Sequence, residues 1–212
     1  MTATASNISL DQRVLLTNIS WRTYERLLEE LGDRPIRLTY DRGKLEIMSP
    51  SIHHEIVKSF IGRLIEAYAL EFDIQVLGAG STTFRNEAAD QGLEPDECYY
   101  IRNEPAMREK TTLDLEIDPP PDLVLEVDVT RSILDRLAIY ADLGVPEIWH
   151  YREGVVRVLL LGEDGQYRTS SQSLNLPDLP IEEVNRALPG ASKPDRNRII
   201  REFLQRVRQA MS

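Results

Sequence analysis

Apolar and polar positions along the chain change period several times. From Trp21, apolar residues at Trp21, Tyr24, Leu27, Leu28 and Leu31 recur at helical spacing, and Gly32 ends the run. The segment IRLTY-DRG-KLEIM then alternates around a short Gly-containing turn, which predicts a hairpin. Ser49-Pro50-Ser51 interrupts it. Between Ile52 and Glu71, apolar residues at 52, 56, 57, 60, 61, 64, 65 and 69 predict a long amphipathic helix, with Ser51 placed to cap it.

Beyond that helix, IQVLG, STTFR and ECYYI read as strands, and the polar stretch ending in Pro119-Pro120-Pro121 reads as a loop. DLVLEVDV is a strongly apolar strand. SILDRLAIYADLG predicts a short helix ending at Gly144, PEIWHY and GVVRVLLLG two more strands, and Ile181–Leu188 and Asp195–Met211 two closing helices. No internal repeat is present, so a solenoid is not expected. The order of elements predicts an α/β chain of the α+β type, a mixed β-sheet flanked by helices. We expect one domain over residues 1–212, with a flexible tail over about 1–10, a core over 20–161 and C-terminal helices over 181–211.

Composition narrows the class. The chain has 212 residues, 42% of them hydrophobic, enough for a substantial core. It carries neither a long apolar span nor an N-terminus with signal-peptide character, which leads to an expectation of a cytoplasmic protein without a membrane segment. The single cysteine, Cys98, has no disulfide partner and reads as a buried strand residue. A net charge of −10 argues against a protein that coats nucleic acid by bulk electrostatics, although a site built of carboxylates is itself acidic and basic residues can gather around it.

The candidate chemistry lies in 122–129. Alternate strand residues share a face, so Val124, Glu126 and Asp128 point one way and Leu123, Leu125, Val127 and Val129 the other. Two carboxylates about 6.5 Å apart along one strand can converge on one ion or two neighbouring ions. A solvated or salt-bridged pair at a sheet edge is the alternative reading. A second acidic element, Glu94-Pro95-Asp96, precedes the strand ECYYI, where proline is tolerated because no ladder donor is needed. Taken alone, Asp96 is equally a turn residue. His53-His54-Glu55 lacks the second histidine of HExxH because Lys58 stands in its place, so it is not a zinc helix. His54 reads as a partly exposed residue at a helix start, and His150 as a packed, hydrogen-bonded one. Gly78-Ala79-Gly80-Ser81 reads as a turn or bulge rather than a phosphate loop.

Glu94-Pro95-Asp96, then Asp122 to Asp128, then a helix followed by GVPEIWHY, with SPS-IHHE upstream, resembles the Uma-type family of restriction-endonuclease-like proteins in the PD-(D/E)XK nuclease superfamily. The similarity spans roughly Ser20 to Leu161. The resemblance implies a restriction-endonuclease-like core and a Mg2+ (or Mn2+) ion held by Asp96 and Glu126. It implies DNA as the substrate and phosphodiester hydrolysis as the reaction. Glu55 occupies a place from which such folds add a carboxylate, and a solvated helix-start acid is the equal alternative. The chain departs from the family pattern at position 128, where Asp128 stands in place of the motif lysine. Arg136 is the basic substitute from the following helix, and Asp128 a further metal ligand. Arginine stabilises phosphate charge but is a poor proton acceptor, so a catalytically inactive protein that binds nucleic acid or another protein is the rival expectation. A homodimer is expected by analogy with paired cuts on duplex DNA.

Overall fold

The computed structural model describes residues 10–32, 34–115 and 117–211; the tail expected over 1–10 falls almost wholly outside them. Two sheets meet at the centre of the chain. The first is antiparallel, with strand order β1-β3-β2-β6-β5: β1 (Gln12–Thr17), β2 (Arg37–Asp41), β3 (Lys44–Ser49), β5 (Phe84–Asn86) and β6 (Gln91–Leu93). The second has the order β11-β10-β9-β8-β7-β4: β4 (Leu77–Gly78), β7 (Glu97–Tyr100), β8 (Leu123–Asp128), β9 (Glu147–Arg152), β10 (Val155–Leu161) and β11 (Tyr167–Ser170). Only β8 and β9 run parallel among the described strands, because helix α4 (Arg136–Asp142) carries the chain back between them.

Local sequence explains the helices. In α1 (Trp21–Leu31) the Ser20 side chain accepts from the Thr23 amide, and Gly32, at φ 51°, closes the far end in a conformation that suits glycine. Ser51 accepts from the His54 amide and starts α2 (Ile52–Glu71). Two later helices, α5 (Ile181–Ala187) and α6 (Arg196–Ala210), pack with α2 on one face of the second sheet, where Phe60, Ile61, Leu64 and Phe203 meet Leu123, Leu125 and Val127. The opposite face of β8 looks toward α4 and the first sheet, with Val124 packed among Ile139, Tyr140, Phe84 and Leu93. Glu126 and Asp128 therefore lie on the face between the two sheets. β8 has neighbours on both sides, so the two acids are not at a sheet edge.

Several elements differ from the sequence reading. The expected mixed sheet is two sheets, and the reading missed β1, β6 and β11. In β1 five of six residues, including Val14, Leu15 and Leu16, are exposed, so no alternation marks it. The stretch read as a loop contains a short helix, α3 (Glu104–Met107). Helix α4 is shorter than SILDRLAIYADLG suggested, because the Asp135 side chain accepts from the Ala138 amide and starts it there. None of the described helices is long and apolar enough to cross a membrane.

Candidate active site

Glu94-Pro95-Asp96 carries the chain from β6 of one sheet into β7 of the other. The crossing explains the proline: the chain leaves one ladder before it enters the next, and an N–H is not required there. Glu94 anchors the crossing, its carboxylate accepting from the Leu38 amide at 2.8 Å and from the Thr83 hydroxyl at 3.2 Å. Asp96 is buried beside β8, and its Oδ2 accepts from the Val127 amide at 2.8 Å.

Behind Asp96 stands His54, fully buried near the start of α2. Its Nε2 lies 3.0 Å from Asp96 Oδ1 and its Nδ1 3.4 Å from Asp11 Oδ2. The imidazole stands between the two carboxylates, so short polar contacts and charge together hold the three groups. Burial by itself lowers the imidazole's proton affinity, but the two carboxylates outweigh it and raise the pKa to about 9. Burial likewise pushes the Asp96 carboxyl up, and the contact with His54, its charge and that of Arg136 overcome this and hold Asp96 below the ordinary carboxylate value. Asp11 is also held low: burial raises it, and His54 with the Ser51 amide more than compensates.

Glu126 is held differently. Arg136, the first residue of α4, donates from Nε to Oε2 at 3.0 Å and from Nη2 to Oε1 at 2.5 Å. The Tyr140 hydroxyl, one turn along α4, donates to the same Oε1. The guanidinium also reaches the Thr39 hydroxyl at 2.5 Å and the Glu94 carbonyl at 2.8 Å, so β2, the 94–96 crossing and α4 all fix it. Burial pushes the Glu126 carboxyl up, Asp96 adds to the rise, and Arg136 opposes both.

Asp128 lies nearer solvent. Its Oδ2 is 2.9 Å from His150 Nε2 on the parallel neighbour β9, and its Oδ1 is 3.8 Å from Arg13 Nη2. Arg13 also pairs with Glu46, a buried acid of β3. Glu46 accepts in turn from the Ser132 hydroxyl and from the amides of Ile133 and Leu134, at 3.0, 2.7 and 2.9 Å. The loop that delivers Arg136 is thus tied to the first sheet.

A cavity of about 370 Å3 opens over this arrangement, lined by Glu126, Asp128, Arg131, Ser132, Ile133, Leu134, Asp135, Arg136, Leu137, His150 and Arg152. Three of the sequence candidates, Glu126, Asp128 and Arg136, meet here. Asp96 stands behind the wall and does not line it. Glu55 pairs with Lys58 at 2.8 Å and lines a separate concavity with Glu66, Glu97 and Tyr99. Sequence reasoning missed Asp11, Arg13, Glu46 and Tyr140 as parts of the site, and placed His54 at the surface. The apolar spacing of α2 already puts residue 54 near its buried residues Val57 and Ile61, a signal that would have found it.

The Uma2 family, described as "Putative restriction endonuclease", matches residues 21–194, most of the chain. The chain belongs to this family. The match takes in Asp96, Glu126, Asp128 and Arg136 and continues past the segment on which the sequence resemblance rested, into α5. The two-sheet architecture with its helices is consistent with a restriction-endonuclease-like Uma2 domain. No curated protein matches the chain.

Proposed function

We propose that this Uma2 protein hydrolyses DNA phosphodiester bonds at the cavity formed by β8, β9 and the loop that leads into α4, with Asp96 and Glu126 as the buried centre of the site. The observation that carries the reading is the composition of that one cavity. Anion-binding groups, Arg131 and Arg152, share it with an imidazole, His150, and with the acids Glu126 and Asp128. Arg131 makes no ion pair among the described residues and is exposed, which leaves it available to a phosphate. The overall charge of −10 does not oppose this reading, because binding depends on the local potential at the cleft.

Family membership implies a divalent ion, with Asp96, Glu126 and Asp128 as its expected ligands. The donors as arranged do not fit one. Magnesium needs open oxygen lone pairs at about 2.0–2.1 Å in octahedral order. Both oxygens of Asp96 and both of Glu126 are already engaged by protein groups, and Asp96 is turned away from the cavity. Among the described residues no three such ligands converge.

The reaction is therefore assigned to the chain's own side chains. Arg131 and Arg152 hold the phosphate and offset the charge that develops on it. Asp128 orients His150 through Nε2, and the other ring nitrogen, which has no partner among the described residues, accepts a proton from the attacking water. The water oxygen bonds to phosphorus, the bond from phosphorus to the sugar oxygen breaks, and solvent protonates the leaving oxygen. Two copies related by a two-fold axis would cut both strands of a duplex.

The test is nicking of supercoiled plasmid and of single-stranded DNA by purified wild type, Glu126→Gln and His150→Ala, each with magnesium, manganese and chelator. Cleavage by the wild type that falls at least tenfold in both variants supports the reading. Cleavage that survives both substitutions removes it. A second reading, a nucleic-acid-binding module without hydrolysis, is favoured by the complete pairing of Asp96 and Glu126. It predicts DNA binding with no cleavage under any of these conditions. Light scattering on the purified chain reports whether it is a dimer.

A further inference from the structure

In Arg136 the geometry points to a resident cation: we propose that its guanidinium holds the place at Glu126 that a divalent ion takes in a metal-dependent nuclease, so that the folded site does not take up magnesium or manganese. The inference rests on the nuclease reading for the location of the site and deepens it by specifying what neutralises its acids.

Arg136 covers both oxygens of Glu126 at 3.0 and 2.5 Å, the side-by-side geometry that a carboxylate offers a guanidinium and that a metal would have to displace. Further donors of the same guanidinium end on Thr39 and on the Glu94 carbonyl, in two other elements, so the side chain is tied back from the cavity. A divalent cation placed beside it would meet a like charge inside a buried site, where repulsion is screened less than at the surface. Asp96, the second expected ligand, spends one oxygen on the Val127 amide and turns the other to His54. Asp128, the third, is held by His150. Lysine, the residue of the superfamily motif, carries its charge on one nitrogen and cannot cover two oxygens in the same way. The exchange from lysine to a buried arginine is thus an exchange from a group that can share an acid with a metal to one that occupies it.

The experiment is a titration of DNA-free protein with Mn2+, in which the electron paramagnetic resonance signal of the free hexaaquo ion reports binding. The proteins are wild type, Arg136→Lys, Arg136→Gln, and each of the two with Glu126→Gln added, all checked for folding by circular dichroism. We expect the wild type to show no single site tighter than about 1 mM. We expect Arg136→Lys or Arg136→Gln to gain one Mn2+ site at least tenfold tighter than any in the wild type, and Glu126→Gln to abolish the gain. A wild-type site below about 1 mM that disappears in Glu126→Gln overturns the proposal. So does a folded Arg136→Lys that binds no better than wild type. If neither arginine variant folds, wild type beside Glu126→Gln decides. Failure here is separable from failure of the nuclease reading: a wild type that binds Mn2+ and cleaves DNA refutes only the resident cation. One that neither binds Mn2+ nor cleaves refutes only the nuclease.

Discussion

Arg136 and Glu126 lie ten positions apart in the chain and form a two-point ion pair in the lining of the cavity, with both side chains largely buried. Removing one partner of such a pair leaves a charge that water cannot reach. We therefore expect Arg136→Ala or Glu126→Ala to lose about 3–5 kcal/mol of stability by urea unfolding. The double substitution Arg136→Met with Glu126→Leu should lose less than the sum of the singles, because the uncompensated charge is gone.

His54 makes stability depend on pH in the alkaline direction. Its folded pKa of about 9 lies above the ordinary 6.5, so the unfolded chain releases the proton first as pH rises. The contribution is fully present below pH 6.5 and is lost as pH rises through about 9. It amounts to on the order of 3 kcal/mol. Urea midpoints for wild type and His54→Gln should be well separated near pH 6 and converge toward pH 9.5. A gap of constant size over that range would show that His54 is not held as a cation.

Glu46 ties β3 to the loop before α4. Replacing it with alanine leaves the amides of Ile133 and Leu134 without their acceptor and takes from Arg13 its nearest carboxylate. Loss of about 1–3 kcal/mol is expected. Hydrogen exchange at those two amides should accelerate more than at the β8 amides, and DNA cleavage should fall with it because the loop sets the position of Arg136.

Arg131 and Arg152 should act on DNA affinity through charge. Arg131→Ala and Arg152→Ala should each weaken binding to any sequence, and each should reduce the slope of log affinity against log salt by about 1. Fluorescence anisotropy over a salt series measures both. A variant that binds more weakly with an unchanged slope has lost something other than a phosphate contact.

Gly92 of β6 lies under Tyr24 of α1. A Cβ there would come within 2.4 Å of the Tyr24 hydroxyl and 2.8 Å of its ring, and Tyr24 is fully buried and stacked on Tyr40. Gly92→Ala should cost about 1–3 kcal/mol and lower the melting temperature, whereas Gly92→Ala with Tyr24→Phe should recover part of the loss.

What could be read without coordinates was set by local periodicity. The 52–71 helix announced itself because its apolar residues fall on one stripe beside a capping Ser51, and β8 because its residues are apolar on both faces except where Glu126 and Asp128 interrupt one of them. That interruption placed two acids on one face correctly. The strands β1 and β11 went unseen because they are exposed edge strands, where solvent rather than a core chooses the side chains, and no two-residue period survives.

The sequence alone determined the long helix over 52–71, the central strand β8 and the face of that strand that carries Glu126 and Asp128. Tertiary structure alone decided what each residue of the site touches. Asp96 meets Val127 across 31 positions, and Glu46 meets Leu134 across 88, through a crossing between sheets that no local pattern encodes. The partners of a buried charge are chosen by whichever groups the fold desolvates together, and their separation along the chain has no period to reveal it. The stripe of α2 marks His54 as an inward-facing residue, but only the fold decided that Asp96 and Asp11 would flank it.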